Sequence, residues 1–268
     1  MIKCGITGSS GNLGKTLVRS KKFKFVKFNG DISKRNDVAK WIKNNDFDII
    51  IHLAALVPTF IVNKNYQKAL KVNYIGTKYL VDSILRYKKD INWFFFASTS
   101  HVYPSQKKKI SEKNKTKPSS KYGKTKLLAE NYIKKKLKNK KFGFCIGRIF
   151  SIFDNRQKDF FIPSLLKKIK EGNKDLILEN LNHYRDFLTT ENITKIILFL
   201  EKKRFKGIIN IGSGQGINLR EIAKIFAKKF RKKVLFRNNF PTFHIANVSK
   251  LKKIGFKSKR LNFGRFFY

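Results

Sequence analysis

Short, nearly continuous apolar runs alternate with stretches of helical length along the first two hundred residues. The runs lie at 2–7 (IKCGIT), 23–28 (FKFVKF), 47–53 (FDIIIHL), 93–98 (WFFFAS), 143–149 (GFCIGRI) and 207–211 (GIINI). Each is too short for a helix and reads as a strand buried on both faces. Between them, 37–44, 66–87, 120–138 and 191–202 have helical length. Parallel strands need crossovers, and helices normally supply them, so the alternation predicts an α/β fold: a doubly wound parallel sheet with helices on both faces.

From Asp154 onward the pattern loosens. Helices are predicted over 162–171 and 219–230, with an irregular stretch near 180–185 and a lysine-rich tail carrying Phe240, Phe243 and Phe256. The expected division is a domain over 1–153, to which 187–215 returns, and a small C-terminal lobe made of 154–186 and 216–268. The site is expected between the two. No internal repeat and no long linker interrupts the chain.

Composition narrows the class. Of 268 residues, 41% are hydrophobic and 14% aromatic, enough for a sizeable core, which excludes a disordered basic tail. Lys and Arg number 61 against 17 Asp and Glu, a formal charge of +44. Such an excess is the footprint of a nucleic-acid binder, yet the lysines are scattered over the whole length, as a compositional bias would leave them. An acidic partner such as RNA stays open as the second explanation. Cys4 and Cys145 sit in apolar runs without paired spacing, so they read as core packing, with neither disulfide nor zinc site. His52, His101, His183 and His244 show no metal-ligand spacing. No leader and no run of membrane-spanning length is seen, and a cytoplasmic location without membrane insertion is the expectation.

Three segments carry chemistry. In TGSSGNLG, Gly8, Gly11 and Gly14 allow a tight turn and close backbone approach. Ser10, Asn12 and Leu13 lie where a helix opens after a strand, and the free amides and positive dipole end of that helix suit a pyrophosphate. Asp31 follows the next strand near the distance at which an acid meets a dinucleotide's ribose, with Ile32 beside it for the adenine. Lys24 and Lys27 precede it and would favour a 2′-phosphate, so NAD and NADP both stay open. Finally, Thr99 ends the strand WFFFAST, and Tyr122 and Lys126 stand four apart on a helix started by Pro118-Ser119-Ser120. That spacing puts both on one face. A nearby ammonium and a cationic nicotinamide would draw the phenol's pKa down from about 10 toward neutrality, and the Thr99 hydroxyl would steady the reacting oxygen.

Taken in order, TGSSGNLG, GDI, DIIIHLAA, VNYIGT, STSHVYP, YGKTKLLAE, RIFSIF, RDFLTTENI and NIGSGQGINLREIA resemble the extended short-chain dehydrogenase/reductases of the NAD-dependent epimerase/dehydratase group, from Ile2 to about Gly255. The resemblance implies a Rossmann-type sheet with a small C-terminal substrate-binding lobe, NAD or NADP as cofactor and a nucleotide sugar as substrate. It implies Tyr122 as acid/base, Lys126 as holder of the nicotinamide ribose, and Thr99 as hydroxyl partner. Leu53, Ala54 and Ala55 match the loop along the cofactor, backbone near Phe150 would lie by the nicotinamide, and Arg185 would bind the diphosphate. Ser100, His101 and Ser151 fall at positions facing the sugar.

Departures are informative. Relatives that dehydrate carry Asp-Glu after the catalytic Thr, whereas Ser100-His101 stand here, which disfavours dehydration. Ser151 replaces a common Asn, and Asp154 a common Gly. The chain is short between Gly14 and Asp31, as though one strand and helix had been trimmed. The expected activity is hydride transfer at C4 of a nucleotide-linked sugar, of the 4-epimerase type. A 4-keto-sugar reductase is the alternative, and a non-catalytic RNA-binding member of the same fold is the alternative of another class. A homodimer is usual among such relatives.

Overall fold

Six strands form the central sheet, and its inner strands are apolar on both faces. The computed structural model describes residues 1–57, 59–87, 89–154, 156, 160–258, 261 and 263. Strands β1 (Lys3–Thr7), β2 (Lys24–Lys27), β3 (Ile49–His52), β4 (Trp93–Thr99), β5 (Gly143–Ile149) and β10 (Gly207–Ile211) lie in the order β10-β5-β4-β3-β1-β2. Strand β1 pairs with β2 and β3, β3 with β4, and β4 with β5, all in parallel. Every residue of β3 is buried, while the edge strand β2 exposes Lys24 and Lys27, charges that discourage further strand addition.

The helices are α1 (Asn12–Arg19), α2 (Arg35–Lys43), α3 (Thr59–Lys64), α4 (Tyr66–Leu70), α5 (Gly76–Arg86), α6 (Lys121–Leu137) and α8 (Thr190–Lys202). Ile42 of α2, Leu80 and Ile84 of α5 and Ile133 of α6 share one cluster with Ile50, Phe94, Phe96 and Ile146 of the strands. Fully burying a side chain of this size contributes about 1.5–3 kcal/mol. Between α1 and β3 the chain holds one strand, β2, and one helix, α2. The stretch over 66–87 is divided: a π-turn, Lys71–Ile75, separates α4 from α5. A π-turn adds a residue to a helix without a signature in the apolar spacing.

Two compact units emerge. The first comprises Met1–Pro104, Asn114–Ile149 and Ile193–Ile209, and the second Ser105–Lys113, Phe150–Asn192 and Asn210–Tyr268. In the second, α7 (Phe161–Glu171) and α9 (Leu219–Lys229) share a core that includes Ile162, Leu165, Ile222 and Phe226. Its strands are short: β6 (Ser151–Phe153) pairs with β9 (Phe187–Thr189), β7 (Asp175–Leu178) with β12 (Lys233–Phe236), and β8 (His183–Arg185) with both β11 (Ile217–Asn218) and β13 (Thr242–His244). A last helix, α10 (Ser249–Lys253), follows. The stretch near 180–185 is therefore partly ordered as β8. Three residues with half-buried side chains are too few to show a period.

Among the described residues no helix is long and apolar enough to cross a membrane, and no group of His, Cys, Asp and Glu is placed to hold a metal.

Candidate active site

The glycine turn after β1 is built by close contacts. Gly8 has φ +72°, a conformation that favours glycine. A Cβ there would lie 2.6 Å from the Ala54 nitrogen, and one on Gly14 only 2.2 Å from the Gly8 oxygen. The turn thus closes on itself and on the 53–55 loop, where the Leu53 amide donates to the Thr7 carbonyl at 3.2 Å. Gly11 is the N-cap of α1 and has no side-chain cap bond, while its amide donates to the Gly8 carbonyl at 3.2 Å. Ser10 is exposed and Leu13 half-buried. The Asn12 Nδ2 is buried without a hydrogen-bond partner. Uncapped amides at a positive helix end, a cradle that any Cβ would fill and an orphaned donor fit an anionic group such as a pyrophosphate.

Asp31 is exposed beyond β2, and its Oδ1 accepts from the Ser33 amide at 2.9 Å and hydroxyl at 2.7 Å. These bonds hold the carboxyl below its usual range. Ile32 is buried at 7% exposure and belongs to the core of α2 and α5.

Thr99, Tyr122 and Lys126 come together at the carboxyl end of β4. Ser120 caps α6 through a bond from the Gly123 amide to its hydroxyl at 3.0 Å, which starts the helix one residue before Tyr122. The Thr99 side chain reaches the Tyr122 phenol closely enough to lower its pKa, and the Thr99 Oγ1 accepts from the His101 amide at 3.2 Å. One turn along α6, Lys126 is 1% exposed, with its Nζ 4.1 Å from the centroid of the Phe96 ring.

Burial sets the electrostatics. It pushes the Tyr122 phenol up, with the Thr99 bond acting in the other direction. It also pushes the Lys126 ammonium down to about 7, opposed by Glu130. The downward shift expected for Tyr122 is thus absent in the chain by itself, because desolvation outweighs the Thr99 hydrogen bond. Ser100 is buried, whereas His101 is exposed, its ring edge-on to Tyr122 at 5.8 Å.

Sequence reading missed the charged pair beneath this trio. Glu130, fully buried, accepts from Arg148 at 3.0 Å and 2.6 Å and from the Ser98 hydroxyl at 2.5 Å. Arg148 in turn donates to the Tyr103 hydroxyl at 2.7 Å. The available signal was a carboxylate four residues beyond Lys126, on the same face of an otherwise apolar helix flank.

The remaining candidates belong to the second unit. Phe150 is buried and its amide donates to the Ile211 carbonyl at 3.0 Å. Ser151 is half-buried, its amide bonded to the Asp186 carbonyl at 2.8 Å. Arg185 is anchored to Thr242, donating to its carbonyl at 3.1 Å and its hydroxyl at 2.9 Å. Burial draws its guanidinium down to about 10, so it remains cationic at neutral pH. Nearby, Asp186 is fully buried and accepts from Ser213, Gly214 and Ala246, which makes it a bracing residue of this unit.

These features define a Rossmann-type α/β chain. It belongs to the NAD-dependent epimerase/dehydratase family, whose profile matches residues 14–212. It is 29% identical over 238 residues to the GDP-6-deoxy-D-talose 4-dehydrogenase of Aggregatibacter actinomycetemcomitans, covering 85% of this chain and 80% of that protein. The human dTDP-D-glucose 4,6-dehydratase is 25% identical over 78% of this chain, which spans 59% of that relative's length. Among solved structures, RMD from Pseudomonas aeruginosa complexed with NADPH superposes with a TM-score of 0.88 at 19% identity, covering 99% of this chain and 96% of that one. MoeE5 in complex with UDP-glucose and NAD gives a TM-score of 0.84 at 20% identity, covering 97% and 95%. Both likenesses are of fold.

Proposed function

We propose that this chain oxidises and reduces a nucleotide-linked sugar at C4, as a 4-epimerase-type enzyme using NAD or NADP. The observation that carries the proposal is the Thr99 side chain beside the Tyr122 phenol with a buried Lys126 one helical turn away. The glycine turn supports it, since Gly8, Ser10, Gly11, Asn12, Leu13 and Gly14 fit a dinucleotide's pyrophosphate, with Leu53, Ala54 and Ala55 alongside, Asp31 and Ile32 toward the adenosine, and Phe150 toward the nicotinamide. When bound, the nicotinamide supplies the hydride acceptor and donor.

The chain's own residues manage the proton. In the oxidising direction Tyr122 Oη takes the proton of the sugar hydroxyl, and in the reducing direction it returns one to the new alkoxide. Thr99 holds the same oxygen through its hydroxyl. Lys126, with Glu130 sustaining its positive charge, favours the phenolate form of Tyr122, each pKa unit corresponding to about 1.4 kcal/mol. Ser100, His101 and Ser151 are assigned to the sugar, and the cationic Arg185 to the diphosphate. Since Ser100 and His101 follow Thr99, no carboxylate stands there to carry protons for dehydration.

A 4-keto-sugar reductase is the second reading, favoured by the likeness to a 4-dehydrogenase. An epimerase uses the dinucleotide twice per turnover and keeps it, whereas a reductase must exchange it. Native mass spectrometry of the purified protein, followed by a screen of nucleotide 4-keto-sugars, tests the proposal. Retained dinucleotide with interconversion of epimers supports the epimerase, consumption of added NADH or NADPH supports the reductase, and no dinucleotide bound or consumed contradicts both.

A further inference from the structure

A buried hydrogen-bond chain joins the glycine turn to the helix that carries Tyr122, and every donor in it can be assigned. The Ala54 amide donates to Thr7 Oγ1 at 3.2 Å, and Thr7 Oγ1 lies 2.6 Å from His52 Nδ1. His52 Nε2 lies 2.8 Å from Thr77 Oγ1, whose own hydrogen is committed to the Asn73 carbonyl at 2.8 Å. Thr77 can therefore only accept from the imidazole, which places the proton on Nε2. Nδ1 is then bare and takes the Thr7 hydroxyl hydrogen. The chain continues through the Asn73 side chain, which donates to Thr125 Oγ1 at 3.1 Å, and Thr125 donates to the Tyr122 carbonyl at 2.8 Å. Asn73 also clasps the backbone of Leu56, accepting from its amide at 2.6 Å and donating to its carbonyl at 3.2 Å.

Thr7, His52, Asn73, Thr77 and Thr125 are each 0% exposed, so none of these bonds can be replaced by bulk water. Asn73 sits within the π-turn Lys71–Ile75, which is where the helix yields a side chain and a carbonyl to opposite ends of the chain.

We propose that His52, fixed as the neutral Nε2–H tautomer, is a positioning residue that sets the spacing between the dinucleotide turn and the Tyr122–Lys126 helix. The inference rests on the dinucleotide reading above. A ligand reaching from the glycine turn to Lys126 touches both ends of this chain, whereas an adenosine diphosphate fragment touches only the first. An imidazolium would confront the Thr7 hydroxyl with a second donor and reverse the chain, and burial, then the charge of Lys126, disfavour that form.

Two measurements test this. Nitrogen NMR of histidine-labelled protein at neutral pH is expected to show His52 with hydrogen on Nε2 alone, and hydrogen on Nδ1 or on both nitrogens overturns the assignment. Second, ADP and NADH or NADPH affinities are compared in the parent, His52→Leu and His52→Gln, Gln being able to accept at one end and donate at the other. The expected result is an about tenfold weaker dinucleotide in His52→Leu, ADP within about twofold of the parent, and substantial recovery in His52→Gln. Equal loss of both ligands, or loss of neither, overturns the proposal. If His52→Leu does not fold, Thr77→Val removes the link next to His52 and the same contrast is read from it. A parent protein that binds neither ADP nor dinucleotide removes the reading beneath the inference, an outcome recognisable before any variant is made.

Discussion

The carbonyl oxygen of His101 lies 2.2 Å from the point where a Cβ on Gly123 would stand. Helix α6 therefore rests its first turn directly on the 3-10 turn Ser100–Val102 that follows Thr99. Only a residue without a side chain lets Tyr122 approach Thr99 this closely.

Gly123→Ala is accordingly expected to shift the start of α6 rather than to disturb the glycine turn. Overpacking of this kind costs about 1–3 kcal/mol, and a displacement of about 1 Å at a reacting group costs about a hundredfold in rate. Turnover should fall by that order, and by more than dinucleotide affinity does. A thermal melt and a steady-state assay, run together, check both halves.

Two buried bases make stability depend on pH in a direction that can be worked out. Burial pushes Lys126 down to about 7 in the fold, against about 10.4 in the unfolded chain, so between these values the unfolded state binds more protons and stability rises with pH. Lys126→Met should flatten that rise, with its largest stabilisation at and below about pH 7. Burial and then Lys126 push His52 down to about 3, against about 6.5 unfolded. Its contribution is present above about pH 6.5 and is lost as pH falls toward 3. Melting midpoints across pH for the parent, Lys126→Met and His52→Gln measure each contribution as a difference.

The Glu130–Arg148 pair should behave as a unit. Removing either partner leaves a buried charge uncompensated, and Glu130→Gln or Arg148→Met alone is expected to cost about 3–5 kcal/mol. The double variant Glu130→Gln with Arg148→Met should cost less than the two single losses added together. A double-mutant cycle in urea reads the coupling, and simple additivity would remove the pair's assigned role.

Much of this architecture is legible without coordinates where the chain obeys one rule at a time. The runs FDIIIHL and WFFFAST are buried on both faces, so their hydrophobicity alone marks them as parallel strands. TGSSGNLG and YGKTK are local, and their spacing translates directly into a turn and a helix face. The second unit was harder because β8, β11 and β13 are two or three residues long. Such segments are defined by their partners, not by a period. The π-turn around Asn73 leaves the helical pattern intact on either side. His52 ends a buried strand, but that it bridges Thr7 and Thr77 depends on helix α5 passing the end of β3, which no local pattern encodes. Glu130 and Arg148 are illegible for a similar reason: a charge in an apolar strand or helix flank has no meaning until its partner is found eighteen positions away.

The central claim is that the Tyr122 phenol moves the substrate's proton beside a bound dinucleotide. Its most direct test is Tyr122→Phe, with NADH or NADPH affinity and turnover of a nucleotide 4-keto-sugar measured on the same preparation. The account predicts affinity within about twofold of the parent and turnover lower by about 10²–10⁴. Turnover equal to the parent's, with dinucleotide bound, would contradict it.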